Sequence, residues 1–220
     1  MSDNASAALV EPAKLDENAL RSQQWGFLAR ILVAPPDAAM LAAIGALEPD
    51  NAPLGLAFRQ LAEAARTAEA PAVRQEFFDL FIGVGRGELL PYGSFYLTGF
   101  LNERPLADLR RDLAAMGIER APGRHEPEDH IASLAEVMAG LALGRFDAAV
   151  LGCGGAGEAG FFARHLEPWA GMFFDDLAKA PSARFYRVVA QVGRVFCDIE
   201  ARAFALARAA AGEPAIRAHG

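Results

Sequence analysis

Side chains that favour β-structure are scarce in this chain. Among its 220 residues are 10 valines, 7 isoleucines and 2 threonines, the β-branched set that a pleated, half-buried surface selects. That scarcity excludes a β-sandwich, a β-barrel or a Val/Ile-rich parallel sheet. Cysteine is scarcer still. Cys153 and Cys197 stand far apart with no Cys-x-x-Cys, which excludes a disulfide framework and a zinc ribbon and suits a reducing compartment. No apolar run approaches the ~20 residues of a membrane span, and the stretch from Ile31 stops at Pro35-Pro36. The first residues, Met1-Ser2-Asp3-Asn4, lack the basic and apolar regions of a secretory signal. A cytoplasmic location with no integral membrane segment is therefore expected. Lysine occurs only as Lys14 and Lys179, and 28 acids against 21 bases leave a net charge of −7. Nonspecific nucleic-acid binding needs clustered positive charge, so nucleic acid is not an expected partner.

What the chain has in quantity is alanine, 47 residues by count, the best helix former. The expectation is an all-α, single-domain helical bundle of roughly eight to ten helices. It would span residues 15–212, between a flexible tail at 1–14 and a C-terminal tail at 213–220. Apolar residues recur at helical spacing from about Asp16 to Pro35, with Leu20, Phe27, Leu28, Ile31 and Leu32 on one face and Gln24 interrupting it. Asp37 is placed to cap a second helix. Pro53, Pro71 and Pro105 open further helices, since a first-turn N–H has no intrahelical partner to lose. Pro127 is expected to open another, with Glu128 and Asp129 in its first turn, where negative charge suits the helix dipole. The Gly-rich stretch 152–160 reads as a linker or turn. Pro168 separates two short helices, and Ser182 is placed to cap a last, long helix reaching about Ala211.

Three stretches carry candidate chemistry. Gly83-x-Gly85-x-Gly87 lacks the Lys-Ser/Thr of a P-loop and follows a helical segment, so a turn between helices is favoured over a phosphate site. His125-Glu126-Pro127-Glu128-Asp129-His130 has a metal-binding composition, but the chain contains no Glu-x-x-His, and di-iron bundles need two. A metal site, a charged helix start and a recognition site all remain open there. His130 falls on the inward-leaning stripe, where Asp129 beside it would hold a proton on the imidazole. Pro91-Tyr92-x-Ser94-x-Tyr96 offers aromatic area with hydroxyls, suited to a core or to a peptide-binding groove. Arg110-Arg111 reads as a solvated face. No nucleophile signature is present.

The segment Glu76-Phe77-Phe78-Asp79-Leu80-Phe81-Ile82-Gly83 is followed by Leu90-Pro91-Tyr92-Gly93-Ser94-Phe95-Tyr96-Leu97. Leu109-Arg110 and Gly117 come next, then Glu126-Pro127-Glu128-Asp129-His130 leading into Glu136-Val137-Met138. In order and spacing these resemble the TorD-like family of redox-enzyme maturation chaperones, which includes DmsD- and NarJ-type members. The resemblance implies an all-helical, cytoplasmic chaperone that is not an enzyme. Such a protein binds an apo-form molybdenum or tungsten oxidoreductase, often through its twin-arginine signal peptide, until the molybdopterin cofactor is inserted.

The same resemblance implies that Asp129 and His130 serve in signal-peptide binding, with Pro91 to Tyr96 near the same groove. The binding set expected is thus Glu126, Glu128, Asp129, His130, Pro91, Tyr92, Ser94 and Tyr96. Many members carry a Pro-Pro or Pro-Trp pair where this chain has the single Pro91. The form Gly85-Arg86-Gly87-Glu88-Leu89-Leu90-Pro91-Tyr92-Gly93-Ser94 is similar to members associated with formate dehydrogenases. No resident cofactor is expected, a transient contact with the molybdopterin cofactor or a nucleotide stays open, and so does the choice of monomer or dimer. The alternative to the chaperone is a helical metal- or cofactor-binding protein using His125, Glu126, Asp129 and His130.

Overall fold

The computed structural model describes residues 17–120, 123, 126–146 and 157–210. The expected tails, the first part of the Gly-rich stretch (152–156) and His125 lie outside the described residues. Among the described residues the chain forms ten α-helices and no strand. They are α1 (Glu17–Val33), α2 (Ala38–Gly45), α3 (Pro53–Thr67), α4 (Ala70–Phe77), α5 (Gly93–Thr98), α6 (Arg104–Ala115), α7 (Ile131–Ala142), α8 (Glu158–His165), α9 (Ala170–Lys179) and α10 (Phe185–Ala210). α1 packs along α7, and α10 packs between α3 and α9. The all-α bundle expected from alanine content is therefore the architecture found.

Several local rules act as the sequence suggested. Asp37 caps α2, its side chain accepting from Met40 N at 2.8 Å. Pro53 opens α3, and Pro71 and Pro105 sit in the first turns of α4 and α6. α4 continues into a single π-helical turn, Phe78–Ile82, which ends at Gly83 with φ +62°. The chain then folds back, Glu88 N and Leu89 N donating to Asp79 and Leu80 carbonyls at 3.1 and 2.8 Å. A Cβ on Gly87 would lie 2.5 Å from the Phe81 carbonyl carbon, so the return path is open only to glycine. Gly83 to Gly87 is thus a turn between helices.

Three expectations need correction. First, α7 starts at Ile131, with His130 as its extended N-cap, and Pro127 to Asp129 form a turn before it. The backbone there is committed to pairing with another segment, described below, and that pairing overrides the proline signal. Second, Ser182 does not cap α10. Its hydroxyl and N–H both donate to Glu88, and the cap comes from Glu76 on α4. Glu76 Oε1 accepts from Arg184 N and Tyr186 N at 2.8 and 2.7 Å, and Oε2 accepts from Phe185 N at 3.1 Å. One carboxylate thus satisfies three orphan amides at the positive end of the longest helix. Third, the buried stripe of α1 is Trp25, Leu28, Ile31 and Leu32, while Leu20 is 39% exposed. α1 is apolar on two adjacent sides, and only one faces the core.

The core gathers Trp25, Leu61, Leu80, Met138, Phe161, Phe173, Tyr186 and Val189, all almost fully buried. Each large apolar side chain so placed stabilises by roughly 1.5–3 kcal/mol before entropy is charged. A polar clamp joins α1, α8 and α10. Arg21 pairs with Glu158 and Glu200 at 2.6 Å each, and Trp25 Nε1 donates to Glu200 at 3.0 Å. Burial pushes the Glu158 carboxyl above its ordinary value, against the pull of Arg21.

Candidate functional site

Residues 91–94 and 129–131, separated by more than thirty positions, are zipped together. Tyr92 and His130 form an isolated antiparallel bridge. Gly93 N donates to Asp129 O at 3.0 Å, and Ile131 N donates to Pro91 O at 2.9 Å. Asp129 adds a side-chain bond, Oδ2 accepting from Ser94 N at 2.7 Å. The four backbone groups that a helix start leaves unpaired are therefore partly served by tertiary pairing. This is also why α5 forms here: Asp129 holds the first turn of a short helix that propensity alone does not predict.

Aromatic side chains frame the junction. The Tyr92 ring meets the His130 ring edge-on at 5.2 Å. Tyr96 stacks on Trp169 at 5.4 Å and 26°, and Trp169 Nε1 donates to His165 O at 2.7 Å. Gly93 permits this approach, since a Cβ there would lie 3.0 Å from Trp169 Nε1. Burial, then the acceptor Glu126, pushes the Tyr92 phenol above its ordinary value. Burial, then the charge of Asp176, does the same to Tyr96. Both phenols stay protonated donors at neutral pH.

The expected binding residues separate by what each already holds. Pro91 and Ser94 are buried, Tyr92 and Tyr96 are half-buried, and Glu126 is exposed with its carboxylate accepting from Tyr92 OH. Glu128 is held by Arg110 at 2.9 Å and Arg120 at 2.7 Å. Burial opposes its charged form, but a backbone hydrogen bond and then the two arginines hold its carboxyl below the ordinary value. Arg110 therefore closes an ion pair rather than merely facing solvent. His130 Nδ1 accepts from Ala132 N at 3.1 Å. A ring nitrogen that accepts carries no proton, so the cap of α7 needs an imidazole that is not doubly protonated.

Two side chains of the junction keep a buried polar atom without a partner among the described residues: Ser94, through Oγ, and Asp129. Asp129 is 3% exposed, and its Oδ1 has no hydrogen-bond partner among the described residues. It lines a cavity of about 430 Å³ between α5, α6 and the α8–α9 turn, whose wall carries Asp108 and Asp112 but also Arg104, Arg111 and Arg164, together with Trp169. Asp112 in this wall pairs with His165 at 2.7 Å and with Arg164 at 3.3 Å. Burial opposes its charge, yet His165 and Arg164 hold the carboxyl below its ordinary value. A buried carboxylate oxygen left without a donor costs about 1–3 kcal/mol or more, and a donor brought within reach of it would recover that cost. Sequence reasoning missed Trp169, Asp112 and His165. The Pro168 helix break marks the turn that carries Trp169, but nothing local says that it meets Tyr96. Among the described residues no group of three or more His, Cys, Asp or Glu side chains is placed to hold a metal ion.

Comparison with known proteins places the chain in a family. The profile of the nitrate reductase delta subunit family matches residues 47–175, more than half of the chain and all of the zipped junction. The chaperone protein TorD of Vibrio cholerae is 30% identical over 125 residues, covering 55% of this chain and 57% of that protein. TorD of Aliivibrio fischeri is 41% identical over 59 residues, 26% of this chain and 27% of that one. The chain thus spans little more than half the length of the Vibrio cholerae relative and about a quarter of the Aliivibrio fischeri one. A crystal structure from Archaeoglobus fulgidus, of a protein put forward as a redox enzyme maturation protein, superposes with a TM-score of 0.51. Its identity is 18%, over 81% of this chain and 94% of that one, which establishes likeness of fold. The chain belongs to the nitrate reductase delta subunit family, the TorD-like group that its motifs between residues 76 and 138 resemble.

Proposed function

We propose that this protein is a cytoplasmic maturation chaperone for a molybdenum or tungsten oxidoreductase, holding the apo-enzyme for cofactor insertion before export. In this reading it grips the N-terminal, twin-arginine segment of its client at the junction of residues 91–96 with 126–130. The observation that carries the proposal is Asp129: a buried carboxylate beside a cavity, with one oxygen on Ser94 N and the other without a partner among the described residues. A guanidinium suits it, because Arg–carboxylate pairing is charge-assisted and directional. Tyr92, Tyr96 and Trp169 offer the apolar surface that the segment following the arginines would need. Glu126 at the rim is the second acid within reach, whereas Glu128 already has two arginines and acts by fixing the 126–129 turn. The Gly85–Ser94 form of the loop favours a formate dehydrogenase as the client.

Calorimetric titration of a twin-arginine peptide tests this reading. The expected result is binding that Asp129→Asn weakens by roughly tenfold or more, equivalent to about 1.4 kcal/mol, with the helical circular-dichroism signal retained. Equal binding to the wild-type and Asp129→Asn proteins would overturn the assignment of the site.

A further inference from the structure

We propose that the trough between α1 and α10 is a second docking surface, which takes a basic amphipathic helix of a partner protein. It shares no lining residue with the Asp129 cavity. The second apolar side of α1, left off the core, forms one wall through Leu20 and Phe27. α10 forms the opposite wall through Phe196 and Ile199, and Leu54 and Phe58 of α3 close the end of a groove of about 620 Å³. Leu20 and Ile199 are 39% and 38% exposed. Residues 20, 24 and 27 on α1, and 196, 199 and 203 on α10, follow helical spacing and make two facing ridges. A third helix packs into such a groove, with its own apolar residues at i, i+3, i+4 and i+7.

Charge selects the occupant. Glu17, Glu48 and Asp50 stand among the lining residues. Arg21, the one basic residue among the described lining, is already bound to Glu158 and Glu200. The rim is therefore negative around an apolar floor. A second copy of this chain, at net charge −7, would bring like charges together. A helix with Leu-type residues on one face and Lys or Arg at its edges matches both the floor and the rim.

The test uses two labelled amphipathic 16-residue peptides, one of Leu and Lys and one of Leu and Glu, titrated into the full chain by fluorescence polarisation. The Leu/Lys peptide is expected to bind and the Leu/Glu peptide is not. Leu20→Gln combined with Ile199→Gln should weaken binding about tenfold without changing the melting temperature, since both side chains are more than a third exposed. Glu17→Gln combined with Glu48→Gln should reduce affinity and flatten its salt dependence. Asp129→Asn should leave this binding unchanged, which keeps the outcome separate from that of the signal-peptide experiment. Equal affinity for the wild-type and Leu20→Gln/Ile199→Gln chains would overturn the proposal. So would dimerisation of the wild type that the same pair abolishes, which gives the groove to a second copy. Displacement of the Leu/Lys peptide by a synthetic peptide of residues 1–16 would overturn it too, in favour of the chain's own N-terminus.

Discussion

Glu76 and Asp129 are both buried carboxylates that accept backbone N–H groups far away in sequence, yet they end in opposite states. Glu76 is 8% exposed and uses both oxygens on three amides at the start of α10. Asp129 is 3% exposed and uses one oxygen on Ser94 N, leaving the other without a partner among the described residues. A carboxylate whose two oxygens are both engaged, with three of its roughly four lone-pair sites used, has little left to offer a ligand, and its work is structural. One that is half filled has already met part of its desolvation cost and keeps directional capacity for an incoming donor. The same residue chemistry therefore serves the fold in one place and recognition in the other, and hydrogen-bond accounting separates them.

Substitutions can break or sharpen this contrast. The largest effect is expected from Glu76→Ala, which leaves two buried amides and one partly buried amide unserved and should cost about 3–5 kcal/mol in urea denaturation. Asp129→Ala should cost about 1–2 kcal/mol, because the lost Ser94 bond is offset by removal of an unsatisfied oxygen. If the two substitutions prove equally destabilising, the distinction between them fails. His130 allows a finer cut: His130→Ala removes the α7 cap and should cost about 1 kcal/mol, whereas His130→Asn restores an acceptor and should cost only a few tenths. A client peptide that loses affinity equally with Asn and Ala would show that the ring itself, beyond its cap, takes part in binding.

The smallest effect concerns pH and Glu128. Its carboxyl is held below the ordinary 4.5 when folded, so the unfolded chain binds the proton first as pH falls. The Arg110 and Arg120 pairs thus contribute above the unfolded value, and that contribution is lost as pH falls through the depressed folded value. Glu128→Gln should flatten the acid side of a stability-versus-pH curve, with the helical circular-dichroism signal at pH 7 retained.

Legibility of this molecule in its sequence was uneven for physical reasons. Helix starts governed by residues next to them, such as Asp37 and Pro53, were readable because a cap is a local bond. The starts of α7 and α10 were not. Pro127 carried the proline signal for one and Ser182 the cap signal for the other, but α10 is served by Glu76, more than 100 residues away, and α7 by Pro91, 40 residues away, beside a local histidine cap from His130. Of the candidate site, the motif residues 91–96 and 126–130 do meet at one junction. The charge picture changed, since Glu128 is neutralised by Arg110 and Arg120 and Glu126 is engaged by Tyr92. Trp169 could not be anticipated, because stacking on Tyr96 depends on where the α8–α9 turn lands.

Composition and periodicity by themselves determined the all-helical class, because few β-branched residues and abundant alanine act on every backbone unit alike. Ordered motifs between residues 76 and 138 determined the family. Only the tertiary structure decided which acids are filled and which remains open, and which side of α1 faces the core. Those outcomes depend on pairing between segments distant in the chain, where a bond to one partner excludes a bond to another.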